Sequence, residues 1–246
     1  MPEPYRYDPN VYWQATEQAY PYYPTVRHRR RFILKTIDRL QPAGRRSTFD
    51  FGCGEGTLLR SVQVRFGLTP GELGGCDISQ AAIERARVKL PGSTLSHALY
   101  PQLRDAYDVL ICCEVIEHST EYADILRWMY AHTAPGGLLI LTTQTGKIHA
   151  SDRYTGHAQH FKLRPLCALV EETGWRIGKA RLWGWPFFTL QKYLTDVSFP
   201  VVRERCLEGA LTPGKSLLFS AAYLAYCLHD FIPFGPQIYI VGRKPR

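Results

Sequence analysis

Two carboxylates and an imidazole crowd into one short stretch, Glu114-Val-Ile-Glu117-His118, and two more histidines follow in Gly-His157-Ala-Gln-His160-Phe. Residues of these types at this spacing offer two chemistries. Glu114, Glu117, His118 and His160 can present oxygen and nitrogen ligands to a hard divalent cation such as magnesium, which would bind an acceptor oxygen and lower its pKa. Without a metal, His157 or His160 can act as general base beside Glu117 and His118, because a neutral imidazole accepts a proton near neutral pH. A structural reading competes with both: the segment ends a strand and caps the helix behind it.

These groups act only if other elements hold them together. Tyr107-Asp-Val-Leu-Ile-Cys-Cys113, just before Glu114, is a continuous apolar run of the kind buried on both faces of a sheet. Earlier, Ser47-Thr-Phe-Asp-Phe-Gly-Cys-Gly-Glu-Gly56 ends an apolar run in a glycine-rich turn, and Thr57-Leu-Leu-Arg opens a helical pattern. Strand, Gly-x-Gly-x-Gly, helix is an order that brings backbone close to a nucleotide-type cofactor, with the helix N-terminus offering unpaired N–H groups. The third glycine comes one residue too early for the dinucleotide pattern Gly-x-Gly-x-x-Gly. Asp77 ends the next strand in Cys-Asp-Ile-Ser. A carboxylate there can accept from both hydroxyls of a ribose, and Ser79 already serves as cap for the following helix.

Asp50-x-Gly-x-Gly-x-Gly56, Asp77, the run ending in Glu114-Val-Ile-Glu-His118, and Pro135-Gly-Gly-Leu-Leu-Ile-Leu-Thr-Thr-Gln144 stand in the order of the class I S-adenosylmethionine (SAM)-dependent methyltransferase motifs. The chain resembles the ubiquinone-biosynthesis-like group of that family over about residues 25–180. The resemblance implies SAM as cofactor. It assigns Asp50 and the backbone of Gly52, Cys53 and Gly54 to the methionine part, Asp77 to the ribose, Ile78 to the adenine face, and the backbone at Cys112 and Cys113 to the amino end. Two metal-using branches of the family carry Glu-x-x-Glu-His here: ubiquinone O-methyltransferases, and small-RNA 2′-O-methyltransferases, which add a later histidine resembling His160. One departure is that the aspartate the family often has after the third strand is missing from Ser96-His-Ala-Leu99.

Strand and helix patterns alternate from Ser47 to Trp185, which implies an α/β fold with a doubly wound, mostly parallel seven-stranded sheet. The ligand crevice is expected at the carboxyl ends of the first and fourth strands. Residues 1–46 read as an aromatic, helical segment, with Tyr5, Tyr7, Tyr12, Trp13 and Tyr20 among prolines and then an amphipathic helix from Thr25 to Leu40. That helix is expected to set Val26, Phe32, Ile33, Ile37 and Leu40 on one side and its arginines on the other. Residues 47–185 form the expected SAM-binding core, 186–235 a helical cap inserted before the last strand, and 236–246 that strand with a basic tail.

The chain has 246 residues, enough for one sizeable core. Its formal charge of +8 is partly concentrated in Arg27 to Arg31 and Arg45-Arg46, so RNA stands as an alternative acceptor. A small apolar or aromatic acceptor is favoured, because the cap and N-terminus are rich in Tyr, Trp and Phe; oxygen methylation follows from the resemblance and the Glu/His cluster. A non-catalytic SAM- or NAD-binding module is the third alternative. Seven cysteines without a Cys-x-x-Cys pair are expected as free thiols in a reducing cytoplasm. The N-terminus carries no apolar signal-like run. Ser216–Leu228 falls short of the roughly 18 residues of a membrane span, so no stable insertion is expected. The oligomeric state is not legible.

Overall fold

A computed structural model of the chain describes residues 7–246; Tyr5 lies outside the described residues. The elements follow in order as α1 (Pro9–Thr16), α2 (Pro24–Leu40), β1 (Thr48–Phe51), α3 (Thr57–Phe66), β2 (Leu73–Asp77), α4 (Gln80–Lys89), β3 (Thr94–His97) and β4 (Tyr107–Cys113). Then come α5 (Tyr122–Ala131), β5 (Thr133–Gln144), α6 (Ala150–Tyr154), α7 (Leu163–Glu172) and β6 (Arg176–Trp183). The chain ends with α8 (Phe187–Val197), α9 (Phe199–Val202), α10 (Pro213–Tyr226) and β7 (Gln237–Arg243).

Strand alternation explains the layers. Along β4, Leu110 and Cys112 point to one face of the sheet, with Phe49, Phe51, Leu139, Leu141, Ile238 and Ile240, and pack on Ile125, Leu126 and Met129 of α5 and Leu166 and Val170 of α7. Val109 and Ile111 point to the other face, with Leu138, Ile140, Tyr239 and Val241, and meet Ile33 and Ile37 of α2, Leu59 and Val62 of α3 and Ile83 of α4. Both faces are covered, so the central strands read as unbroken apolar runs.

The sheet has seven strands in the order β3-β2-β1-β4-β5-β7-β6. It is mixed: β7 runs antiparallel to both β5 and β6, while β1 to β5 pair in parallel. The reason is the cap. The chain leaves β6 at the carboxyl edge, forms α8 to α10 there, and can re-enter the sheet only in the opposite sense. Strand order reverses between β1 and β4, and that switch point is where a crevice forms above the carboxyl ends.

Three local expectations change. Pro135-Gly-Gly is expected from its residue types to turn into a strand at Leu138, but β5 begins at Thr133 and continues through those residues, with an irregular register opposite Tyr107 and Val109. α6 has no counterpart in the sequence reading, since five residues are too few to show periodicity. In α2, Val26, Ile33 and Ile37 are buried as expected, but Leu40 is exposed and His28 and Arg29 turn inward.

Candidate active site

The turn between β1 and α3 is shaped by its glycines. Gly52, Gly54 and Gly56 have φ of 76°, 52° and 79°, in the left-handed region that a Cβ disfavours. A Cβ on Gly52 would lie 2.3 Å from Val115 Cγ2. The amides of Gly52 and Cys53 donate to the Cys76 carbonyl at 2.8 and 2.9 Å, tying the turn to β2. Asp77 ties it again: its carboxylate accepts from Gly54 N–H at 2.9 Å and from Ser79 N–H at 2.8 Å. Ser79 Oγ in turn accepts from Ala82 N–H at 3.2 Å and caps α4.

Asp50 is buried, and its Oδ1 has no partner. Burial first, and the neighbouring Asp77 second, push its carboxyl well above the usual range, with the Arg29 guanidinium opposing. Arg29 reaches this point from α2, its side chain 12% exposed and 3.5 Å from Glu114 Oε1. An orphaned carboxylate oxygen beside a buried guanidinium fits a zwitterionic ligand such as the methionine end of SAM.

A cavity of about 790 Å³ starts beside this point, at Arg29 and Gly52, and runs to the cap. Asp77, Ile78 and Leu99 line one end, Cys113, Glu114, His118 and His157 the middle, and Phe188, Lys192, Phe219 and Tyr226 the far end. Ile78 is 55% exposed. Cys112 lies inside the sheet between Phe51 and Leu141, so Cys113 is the member of that pair that reaches the cavity. Where the family often has an aspartate after the third strand, Ala98 and Leu99 line the wall.

The N-terminal segment closes the side. Trp13 packs on Gly54, where a Cβ would meet its ring at 2.3 Å. Asn10 Oδ1 accepts from Ser79 Oγ at 2.9 Å and Ala81 N–H at 3.2 Å, and Arg85 donates to the Trp13 carbonyl. Tyr7 stacks on His118 with ring centroids 5.8 Å apart. Tyr7, Tyr12, Trp13 and Tyr20 thus lie along the cavity, and Trp13 also packs on the main domain at Gly54.

The acid and histidine cluster is only partly the expected one. Glu114 is taken up by structure: besides Arg29, it accepts from Thr142 Oγ1 at 2.9 Å and from Gln144 and Gln237 amides at 3.2 Å each. Among the described residues, it belongs to neither of the two groups whose ligand atoms lie within 4.8 Å of one another. Those groups are Glu117, His118 and His157, and Asp152, His157 and His160. His157 is thus common to both, and His160 is separated from Glu117 and His118.

Hydrogen-bond direction settles the protonation of the histidine pair. His160 Nδ1 lies 3.2 Å from the Gly146 carbonyl, which can only accept, so Nδ1 carries the proton. His160 Nε2 is then an acceptor, and His157 Nδ1, 3.1 Å away, donates to it. His157 Nε2 is left with a free lone pair, 3.9 Å from Glu117 Oε1. Burial, with His118, Lys192 and His160 adding, lowers His157 to about 2, so it is neutral at physiological pH. Glu117 is fully buried; Thr143 Oγ1 donates to its Oε2 at 2.7 Å while Oε1 has no partner. Burial, then Glu114, pushes its carboxyl well up.

Three further residues belong to the site. Asp152 on α6 accepts from His149 N–H at 2.8 Å and from the Lys192 ammonium. Lys192, on α8, is itself buried and also donates to Gln144. Burial lowers its pKa, and Asp152 opposes that shift. Its signal in the sequence was a lone lysine spaced with Phe188 and Thr195 on the apolar face of a cap helix. Arg29 had no such mark among its neighbouring arginines.

The sequence model of the methyltransferase domain family matches residues 25–179. Similar sequences include the ubiquinone biosynthesis O-methyltransferase of Marinobacter nauticus, 27% identical over 138 residues (54% of this chain, 56% of that one). Another is that of Albidiferax ferrireducens, 29% identical over 119 residues (45% and 46%). The chain thus spans about half the length of the curated relatives it matches. Among solved structures, Haemonchus contortus phosphoethanolamine N-methyltransferase 2 with S-adenosylhomocysteine superposes with a TM-score of 0.61 at 17% identity, covering 98% of this chain and 61% of that one. The N-methyltransferase NodS of Bradyrhizobium japonicum with S-adenosylhomocysteine gives 0.55 at 14%, covering 91% and 89%. These likenesses support the fold and leave the acceptor open. With the glycine turn, Asp77 and the family match agreeing, the chain belongs to the class I SAM-dependent methyltransferases.

Proposed function

We propose that the enzyme methylates a hydroxyl oxygen of a small apolar or aromatic acceptor, with His157 Nε2 orienting the hydroxyl and taking its proton as the O–CH3 bond forms, when that proton has become acidic enough for so weak a base. The observation that carries this reading is the imidazole whose tautomer is fixed by His160 and the Gly146 carbonyl, with its free lone pair beside a cavity whose far walls are largely aromatic and aliphatic. SAM, when bound, supplies an electrophilic methyl group on a sulfonium. Asp77 would hold the ribose hydroxyls, Ile78 and Leu99 the adenine, Asp50 the amino group and Arg29 the carboxylate.

At the acceptor end, aromatic walls exclude water and orient a flat molecule. The Lys192 ammonium, fixed by Asp152 and Gln144, favours negative charge on the acceptor oxygen as its proton leaves. Asp152, 3.7 Å from His160 Nε2, favours an imidazolium on that ring, so a proton taken by His157 can pass outward through His160.

The test is turnover of a panel of hydroxylated aromatic acceptors, read as S-adenosylhomocysteine formed. His157→Phe is expected to lower kcat by roughly 10²–10⁴ with S-adenosylhomocysteine affinity unchanged. An unchanged kcat, or turnover of amines alone, would overturn the reading.

A second reading rests on a different observation. Glu117 Oε1 and His118 Nδ1 are buried without partners beside the free His157 nitrogen. Those three would hold a divalent cation, which would polarise an acceptor hydroxyl. The Asp152, His157 and His160 group does not fit a cation, because Lys192 already pairs with Asp152. Loss of activity in chelator, restored by magnesium or manganese, would select this reading. An RNA acceptor gains less support, since the basic run is divided: Arg29 points into the site and Arg31 pairs with Asp230.

A further inference from the structure

The cap turns apolar stripes to solvent. Leu217, Ala221, Leu224 and Leu228 recur at i, i+4, i+7 and i+11 along α10 and the turn after it, one face of a helix. Leu190, Leu194 and Val197 repeat that spacing on α8. All these leucines and Val197 are more than half exposed, as is Phe231. Exposed apolar residues in register along a helix, unlike singly scattered ones, mark a docking face. Leu190, Leu194 and Leu218 also line the active-site cavity, so its cap end opens onto this face.

Positive charge lies alongside. Arg27 of α2 stacks on Tyr223 of α10 at 4.1 Å and donates to Ser220 Oγ at 3.3 Å, so the two helices share an edge. Arg27, Arg30, Arg31, Lys35 and Arg65 line a surface groove of about 330 Å³ that ends at Tyr223. Arg31 is paired with Asp230 and Arg65 with Asp38. Among the described residues, no carboxylate lies within ion-pair distance of Arg27, Arg30 or Lys35.

We propose that this face docks peripherally on an anionic lipid bilayer, the leucine stripes entering the acyl boundary and the three unpaired cations meeting the headgroups. Anionic headgroups neutralise these cations, whereas a second copy would bring +8 against +8. No helix among the described residues is long and apolar enough to cross a membrane, so the contact is made from one side. An apolar acceptor dissolved in that bilayer would enter the cavity without crossing water; this consequence rests on the proposed acceptor chemistry, while the docking does not.

Flotation of the full chain with vesicles tests it, comparing phosphatidylglycerol mixed into phosphatidylcholine with phosphatidylcholine alone. Binding to the anionic vesicles is expected to be roughly tenfold stronger or more and to weaken with salt, since each basic residue near such a surface is worth a factor of about five. Leu217→Asp/Leu224→Asp/Leu228→Asp should abolish it, with S-adenosylhomocysteine binding by calorimetry retained as the fold control. Arg30→Gln/Lys35→Gln probes the charge separately and should reduce both the affinity and its salt dependence. Equal binding to both vesicles, or none, overturns the proposal. So does a wild-type dimer in light scattering that the aspartate variant dissociates while vesicle binding persists.

Discussion

At the cofactor end of the cavity, the Asp50–Gly56 turn and Asp77 come from one short piece of chain, and most of their contacts are to backbone: the Cys76 carbonyl and the Gly54 and Ser79 amides. At the acceptor end, Tyr7, His118, Asp152, His157, Lys192 and Phe219 come from the N-terminal segment, the edge of the sheet and the cap. There the decisive contacts join side chain to side chain, above all Lys192 to Asp152. The difference teaches where each end is vulnerable. A backbone-built site fails when a glycine or the one bridging carboxylate changes, whereas a side-chain-built site fails when a buried pair loses one member.

The largest effect expected is at the acceptor end. Lys192→Met leaves Asp152 buried and uncompensated, which should cost about 3–5 kcal/mol in denaturant unfolding. Pairing it with Asp152→Asn should recover much of that loss. A single variant as stable as the parent would break the comparison, because the cap would then not be held by this pair.

At the cofactor end, Asp77→Ala should weaken S-adenosylhomocysteine binding by about 1–3 kcal/mol through lost charge-assisted hydrogen bonds, measured by calorimetry. Unchanged affinity would place the ribose elsewhere.

A pH-dependent effect sharpens the picture at the root of the cap, where His28 and His229 are buried and held at about 4, chiefly by burial. The unfolded chain protonates both near 6.5, and the folded chain resists. Stability is therefore complete above about pH 6.5 and falls as pH drops toward 4, by up to about 1.4 kcal/mol per pH unit for each histidine. Both ring nitrogens of His229 lack partners, so His229→Phe should flatten that slope without loss at pH 7. Unfolding midpoints at pH 7 and pH 5 decide it, and an unaltered slope would remove His229 from the account.

The cofactor end was legible because its chemistry is written contiguously. Strand, glycine spacing and the acid ending the next strand are local patterns, and Ser79 caps α4 as its position suggested. The acceptor end was legible only in its residue types. His157 and His160 were visible, but which nitrogen is free depends on the carbonyl of Gly146 across a turn. Glu114 looked like a ligand in its motif and proved to be held by Arg29, Thr142, Gln144 and Gln237. Arg29 was read as one of the solvent-facing arginines because helical periodicity assigns a face from the apolar majority, whereas a buried carboxylate can reverse that preference for one residue.

By itself, the sequence determined the methyl donor: glycines at positive φ and an aspartate at the end of β2 are requirements of backbone geometry, met within one stretch of chain. Tertiary structure alone decided what is brought together at the far end of the cavity. Only folding brings α6 beside α8 to pair Asp152 with Lys192, and α2 beside α10 to set cations along an apolar stripe. The sequence of α10 shows no basic face, since the charges that flank it are contributed by a helix some 190 residues earlier, as in the Arg27 contact with Ser220. Burial and pairing across such separations depend on packing, and local pattern carries no record of them.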